Sequence, residues 1–171
     1  MSDLRPWVLR IEGAPVAKPR MTRRDRWMPS KAVQRYFAWA DLVKIMGRSL
    51  FKRSPLAAPV VIRARFFLPI PRSCARPERL RRVGAPHVLK PDIKNLIAGL
   101  EDALNGIAWN DDSQIVGYDE CRKYWAHGPG VTVLEVRPVR CLDDLAKQGQ
   151  ESYPQGYPQE EVELSTGGPS I

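Results

Sequence analysis

The stretch KPDIKNLIAGLEDALNGIAWNDDSQIVGY, Lys90 to Tyr118, gathers the side chains best able to carry out chemistry. Asp92 stands just before a run with helical spacing. Glu101 and Asp102 lie inside that run, and Asp111 and Asp112 follow it after a short link. Carboxylates from the start of a helix and the start of a strand can converge on one divalent ion. Mg²⁺ takes oxygen ligands in an octahedron and leaves the remaining positions to water and substrate phosphate. An ion held in this way polarises a phosphodiester and generates hydroxide for in-line attack. The same spacing also describes a helix cap at Asp92 and a solvated turn at Asp111 and Asp112. Lys94 bears on the choice, because it puts a cation beside Asp92 where a metal site calls for another acid.

The helix implied here has Ile93, Leu96, Ile97, Leu100 and Leu104 on its buried face, Asp92 as N-cap and Gly106 as its stop. At 100° per residue that face centres near Ile93. Asn95 and Asp102 then point away from it, and Lys94, Ala98 and Glu101 line one flank.

Other segments supply the scaffold that must hold this helix. WVLRIE, Trp7 to Glu12, reads as a first strand. Ser30 caps a helix running to about Phe51, with Val33, Phe37, Ala40, Val43 or Lys44, and Phe51 near its core stripe. VVIRARFFL, Val60 to Leu68, is a strand whose Arg63 and Arg65 share a wet face. Ser113 to Ala126 and Val131 to Val136 read as two further strands joined by the turn HGPG. The order β-α-β-α-β-β predicts an α+β fold, a mixed sheet carrying two main helices.

Charge points to the partner. The net charge of +8 divides unevenly: 26 bases face 13 acids in the first 141 residues, and one base faces six acids after them. A body at +13 suits a polyanion. Its cations cluster in VAKPRMTRRDRWMPSK, with Lys18, Arg20, Arg23, Arg24 and Arg26, and in PRSCARPERLRRVGAPHVLK, with Arg79, Arg81 and Arg82. Proline-rich and without periodicity, both segments read as surface loops suited to a phosphate backbone. Residues 1–140 are expected to form one domain, followed by a disordered, acidic, Pro/Gly-rich tail at 141–171. Three scattered cysteines predict reduced thiols. With no long apolar run and no secretory signal in MSDLRPWVLR, the chain is expected to be cytoplasmic and without membrane partners.

The run from Lys90 to Tyr118 resembles the signature of the RusA family of Holliday junction resolvases. In that family a helix opening with P-D-x-D-N is followed by D-A-L-x-G, an aromatic residue and D-D-x-Q. The match falls on Lys90-Pro91-Asp92, Asn95, Glu101 to Gly106, Trp109 and Asp111 to Gln114. The resemblance implies a RusA-like fold and a homodimeric, Mg²⁺-dependent endonuclease, with Mn²⁺ as a substitute ion. Such enzymes nick four-way or other branched DNA in recombination and repair, and many are of phage or prophage origin. It carries metal-ligand roles to Asp92 and Asp112 and supporting roles to Asp102 and Asp111.

Two positions depart from the pattern: the family's second motif aspartate falls on Lys94, and a lysine one turn later falls on Ala98. Three accounts stand open. The site is reorganised around Asp92, Asp112 and a substitute acid such as Glu101, with Lys94 catalytic. Alternatively the chain binds junctions or DNA without cleaving, or the change is an engineered inactivation. For the dimer, the candidate surfaces are the helix from Ser30 and the strand bearing Tyr124 and Trp125 as exposed aromatics.

Overall fold

Alternation in VVIRARFFLP decides how the layers form. The computed structural model describes residues 6–52 and 55–139. Its elements are β1 (Trp7–Glu12), α1 (Lys31–Phe51), β2 (Val60–Pro69), α2 (Arg76–Arg82), α3 (Ile93–Leu104), β3 (Ile115–Tyr118), β4 (Arg122–Ala126) and β5 (Val131–Pro138). Ile62, Ala64, Phe66 and Leu68 of β2 turn into one core with Tyr36, Trp39 and Val43 of α1 and Leu96, Leu100 and Leu104 of α3. Arg63 and Arg65 turn to the other face, where both pair with Glu135 and Arg63 also pairs with Asp119 at 2.8 Å. The expected wet face is therefore an ion-pair network.

The sheet is mixed, as expected for the α+β class. β1 pairs antiparallel with β5, and β5 pairs antiparallel with β2. On the other side of β2, β3 runs parallel to Val60–Ile62 and β4 runs parallel to Arg65–Pro69.

Several expectations change. The strand expected from Ser113 to Ala126 begins as a 3-10 turn at Asp112–Gln114 and breaks between Tyr118 and Arg122. At the break Asp119 N–H donates to Ile62 O, and its carboxylate accepts from Arg63 and Arg137, which bends the chain off the strand path. The turn HGPG closes no hairpin, because β2 lies between β4 and β5. Gly130 passes so close to β2 that a Cβ there would stand 2.7 Å from Phe67 O. The second basic segment, read as loop, contains the short helix α2 with Pro77 in its first turn, where a missing N–H costs nothing.

That segment then covers the outer edge of β4. Gly84 N–H donates to Trp125 O, Trp125 N–H to Ala85 O, and His87 N–H to Lys123 O. An unpaired strand edge is thereby removed. Trp125, expected to be an exposed aromatic, is 6% exposed and lies against His87 with ring centroids 3.9 Å apart.

Ser30 caps α1 as expected, its Oγ accepting from Val33 N–H at 3.4 Å. The buried stripe of α1 is built on Tyr36 and Trp39, whereas Phe37 is 44% exposed. Helices α1 and α3 meet at Gly47, where a Cβ would stand 2.6 Å from Leu104 Cδ2. Among the described residues, no helix is long and apolar enough to cross a membrane. The acidic tail lies outside the described residues.

Candidate active site

Asp92 occupies the N-cap position of α3, yet its carboxylate makes no capping hydrogen bond. The cap reading therefore does not account for this side chain, which stands exposed at the helix start. Its position is set from β4: Lys123 Nζ donates to Leu89 O at 2.6 Å and Pro91 O at 2.8 Å, tying down the backbone just before it.

Asp111 and Asp112 divide their roles. Asp111 is the N-cap of the 3-10 turn, and its Oδ1 accepts from Ser113 N–H at 3.0 Å. Hydrogen bonding by Ser113, its side chain first and then its N–H, holds the Asp111 carboxyl below the usual range. Gln114 completes a capping box and clamps the turn to the fold. Its Oε1 accepts from Asn110 N–H at 2.7 Å and Asp111 N–H at 3.2 Å, and its Nε2 donates to Leu56 O and Ala58 O, both at 3.0 Å. Asp112 follows Asp111, exposed, on a turn held at four points.

Glu101 and Asp102 are adjacent in sequence and leave α3 on different flanks. The Asp102 carboxylate accepts from Tyr36 Oη of α1 at 3.4 Å and pairs with Lys18 Nζ at 2.5 Å. Burial and then the Asp102 charge push the Tyr36 phenol up to about 12. Asp102 is thus engaged toward α1 and the first basic segment. Glu101 faces β3, where its Oε1 accepts from Tyr118 Oη at 2.7 Å. That bond first, then burial and the nearby charges of Glu101, Cys121 and Asp112, push the Tyr118 phenol up to about 12. Through Tyr118, Glu101 is bonded to β3, the strand that follows the Asp112–Gln114 turn.

Asp92 lies roughly 13 Å from Glu101 along the helix axis, from nine residues at the α-helical rise. Lys94 is exposed between them, and Ala98 is half-buried. Among the described residues, no three Asp, Glu, His or Cys side chains come together as a metal-ligand set. The donors present are all oxygens. They fit an ion taken through one or two carboxylates and completed by water and phosphate, which Mg²⁺ accepts, and not a closed protein cage.

The basic residues also separate. Arg20, Arg23, Arg24, Arg26 and Arg81 are exposed. Lys18 pairs with Asp102, and its N–H donates to Asn95 O, which fastens the first basic segment to α3. Arg79 Nη2 donates to Arg72 O and Cys74 O. Arg82 pairs with Glu78 at 2.9 Å and lies over the Trp125 ring. Arg79 and Arg82 thus shape the second basic segment, and Arg81 is left facing solvent.

The sequence model described as Endodeoxyribonuclease RusA matches residues 12–135. The chain belongs to the RusA family. This RusA chain is also 27% identical, over 132 residues, to the "Uncharacterized protein YqaN" of Bacillus subtilis (strain 168). The alignment covers 72% of this chain and 91% of that protein. The family match runs from Glu12, the last residue of β1, to Glu135 in β5, so it includes both basic segments, α3 and the Asp111–Gln114 turn.

Sequence reasoning missed Gln114, Lys123 and Tyr118 as parts of the site. The Asp111-to-Gln114 spacing is a capping-box pattern and could have pointed to the first. Nothing local distinguishes Tyr118 or Lys123, since each reaches its partner across the fold.

Proposed function

We propose that this RusA chain is a metal-dependent endodeoxyribonuclease that nicks four-way DNA junctions, with Asp92 and Asp112 as metal carboxylates and Glu101, bonded by Tyr118 of β3, as an additional acid further along α3. One observation carries the reading: in a chain of the RusA family, the Asp92 carboxylate makes no capping bond and Asp112 stands exposed on a clamped turn, so both carboxylates are available to a metal ion. Mg²⁺ or Mn²⁺ bound there would supply Lewis acidity toward the scissile phosphate. Gln114 holds the turn that presents Asp112, and Lys123 holds the backbone that presents Asp92. Lys94 places its ammonium beside the substrate phosphate, where it stabilises charge developing in the transition state. Asp111 and Asp102 act as positioning groups, the first through its turn and the second through Lys18. A symmetric homodimer would set one site on each of two strands related by the junction's two-fold axis. Leu42, Ile45 and Met46, exposed at i, i+3, i+4 spacing on α1, support that helix as the contact.

A second reading, junction binding without cleavage, is favoured by Lys94 and by the want of a three-donor set among the described residues. One experiment separates the two. Wild type is titrated with Mg²⁺ and Mn²⁺ on a mobile-core four-way junction, with duplex and flap controls. Asp92→Asn and Asp112→Asn are expected to abolish cleavage and keep junction binding. Glu101→Gln should lower cleavage, and Lys94→Asp should lose it. An inert wild type with an active Lys94→Asp would overturn the nuclease reading in favour of the binding protein.

A further inference from the structure

Trp27 is the most exposed tryptophan among the described residues, with 84% of its surface in water. The hydrophobic effect alone would bury so large an apolar ring, and an exposed aromatic at a charged surface marks a contact site. Its surroundings are cationic: Arg23, Arg24 and Arg26 are exposed in the same turn, and Arg26 lies over the indole at 5.7 Å from the ring centroid.

The turn is built, and Asp25 builds it. Its Oδ2 accepts from Thr22 N–H at 2.8 Å and Thr22 Oγ1 at 2.7 Å, and its Oδ1 accepts from Ser30 N–H at 3.1 Å. These bonds, led by the Thr22 hydroxyl, hold the Asp25 carboxyl down at about 2. The backbone closes as a 3-10 turn, with Trp27 N–H and Met28 N–H both donating to Arg24 O. One end of the segment is anchored at Ser30, the cap of α1. The other is anchored at Lys18, which bonds α3 at Asn95, next to Lys94. A stiff turn carrying three cations and an uncovered indole therefore runs from the helix that bears the candidate carboxylates.

We infer that Trp27 stacks on a base left unpaired or unstacked at the branch point of a DNA junction, while Arg23, Arg24 and Arg26 hold the flanking phosphates. The inference rests on the junction-binding part of the proposed function and adds to it the group that distinguishes a branch from a plain duplex. Base–aromatic stacking tolerates any sequence, because every base has a π face, and cationic grooves track the backbone beside it. Duplex interiors offer no such face.

The test uses the full chain without divalent metal, so that strands stay intact. It compares a four-way junction carrying 2-aminopurine at the branch with a linear duplex of the same length. Wild type is expected to bind the junction tighter than the duplex and to quench the 2-aminopurine. Trp27→Ala should weaken junction binding by about 5- to 150-fold, the range that one aromatic–base stack is worth. It should lose the quenching, leave duplex binding unchanged, and keep the salt slope, since no cation is removed. Trp27→Phe should restore most of the affinity and quenching. Equal junction affinity of Trp27→Ala and wild type would overturn the inference and leave the junction reading standing, as would a matching loss on duplex. A change of oligomeric state with DNA affinity kept would also overturn it, by assigning the ring to a protein contact. A wild type that does not prefer the junction would overturn the junction reading and this inference together.

Discussion

Gln114→Ala should destabilise the chain by about 2–3 kcal/mol, although the residue is neither catalytic nor part of the hydrophobic core. Four hydrogen bonds run through its amide, two into Asn110 and Asp111 and two out to Leu56 and Ala58. At about 0.5–1.5 kcal/mol each they total roughly 2–6 kcal/mol, and the lower part of that range applies because several of the freed backbone groups can return to water. The thermal midpoint should fall by about 4–12 °C, on the scaling for a domain of this size. Urea unfolding reads the loss directly. Gln114→Glu sharpens the test. It keeps an acceptor for the two N–H groups and turns a carboxylate toward two carbonyl oxygens. Its loss should match or exceed that of alanine at pH 7 and shrink as the pH falls through about 4, where a glutamate becomes a donor. Cleavage per folded molecule should also drop, since this turn presents Asp112. A stability loss under about 0.5 kcal/mol would refute the clamp. Normal cleavage in a destabilised variant would confine Gln114 to the fold.

Replacing Arg20, Arg23, Arg24 and Arg81 by alanine should weaken binding to any DNA and flatten its salt slope, by about 0.9 for each phosphate no longer neutralised; an unchanged slope would remove these residues from the DNA surface. Tyr36 and Tyr118 should titrate near 12 in the folded state, seen as a late phase in absorbance at alkaline pH. Their folded values are raised above the ordinary 10, so the stability they contribute is complete below pH 10 and is lost as the pH rises toward 12; Tyr118→Phe should reduce that alkaline loss. Gly47→Ala should lower stability despite better helix propensity, because its Cβ would meet Leu104 Cδ2 at 2.6 Å, and a neutral or stabilising result would contradict the close approach of α1 and α3. Light scattering should report a dimer, and charged substitution of Ile45 should yield monomers if α1 is the contact.

The sequence by itself determined the elements whose signals are local. Alternation placed β2 and its wet face. Ser30 announced the start of α1, and the apolar spacing of α3 predicted its buried side, with Gly106 ending it at a φ of 71°. The spacing of Asp92, Asp111 and Asp112 around that helix was enough to place the candidate carboxylates at a helix start and just ahead of the next strand, though not on the 3-10 turn that carries Asp112. The tertiary structure decided whatever depends on partners distant in sequence. HGPG looks like a hairpin turn, but β2 has a higher claim on both strands, because its inner face supplies the centre of the core. Ser113 to Ala126 has strand composition throughout, and only the pull of Arg63 and Arg137 on Asp119 shows why it breaks. Trp125 is buried because α2 and the residues after it return over the edge of β4, which no local pattern encodes. Glu101 and Asp102 are equally acidic neighbours on paper. A step of 100° around α3 sends one to Tyr118 on the sheet and the other to Lys18 and Tyr36, and only the packing of α3 against α1 and the reach of Tyr118 from β3 give that step its meaning.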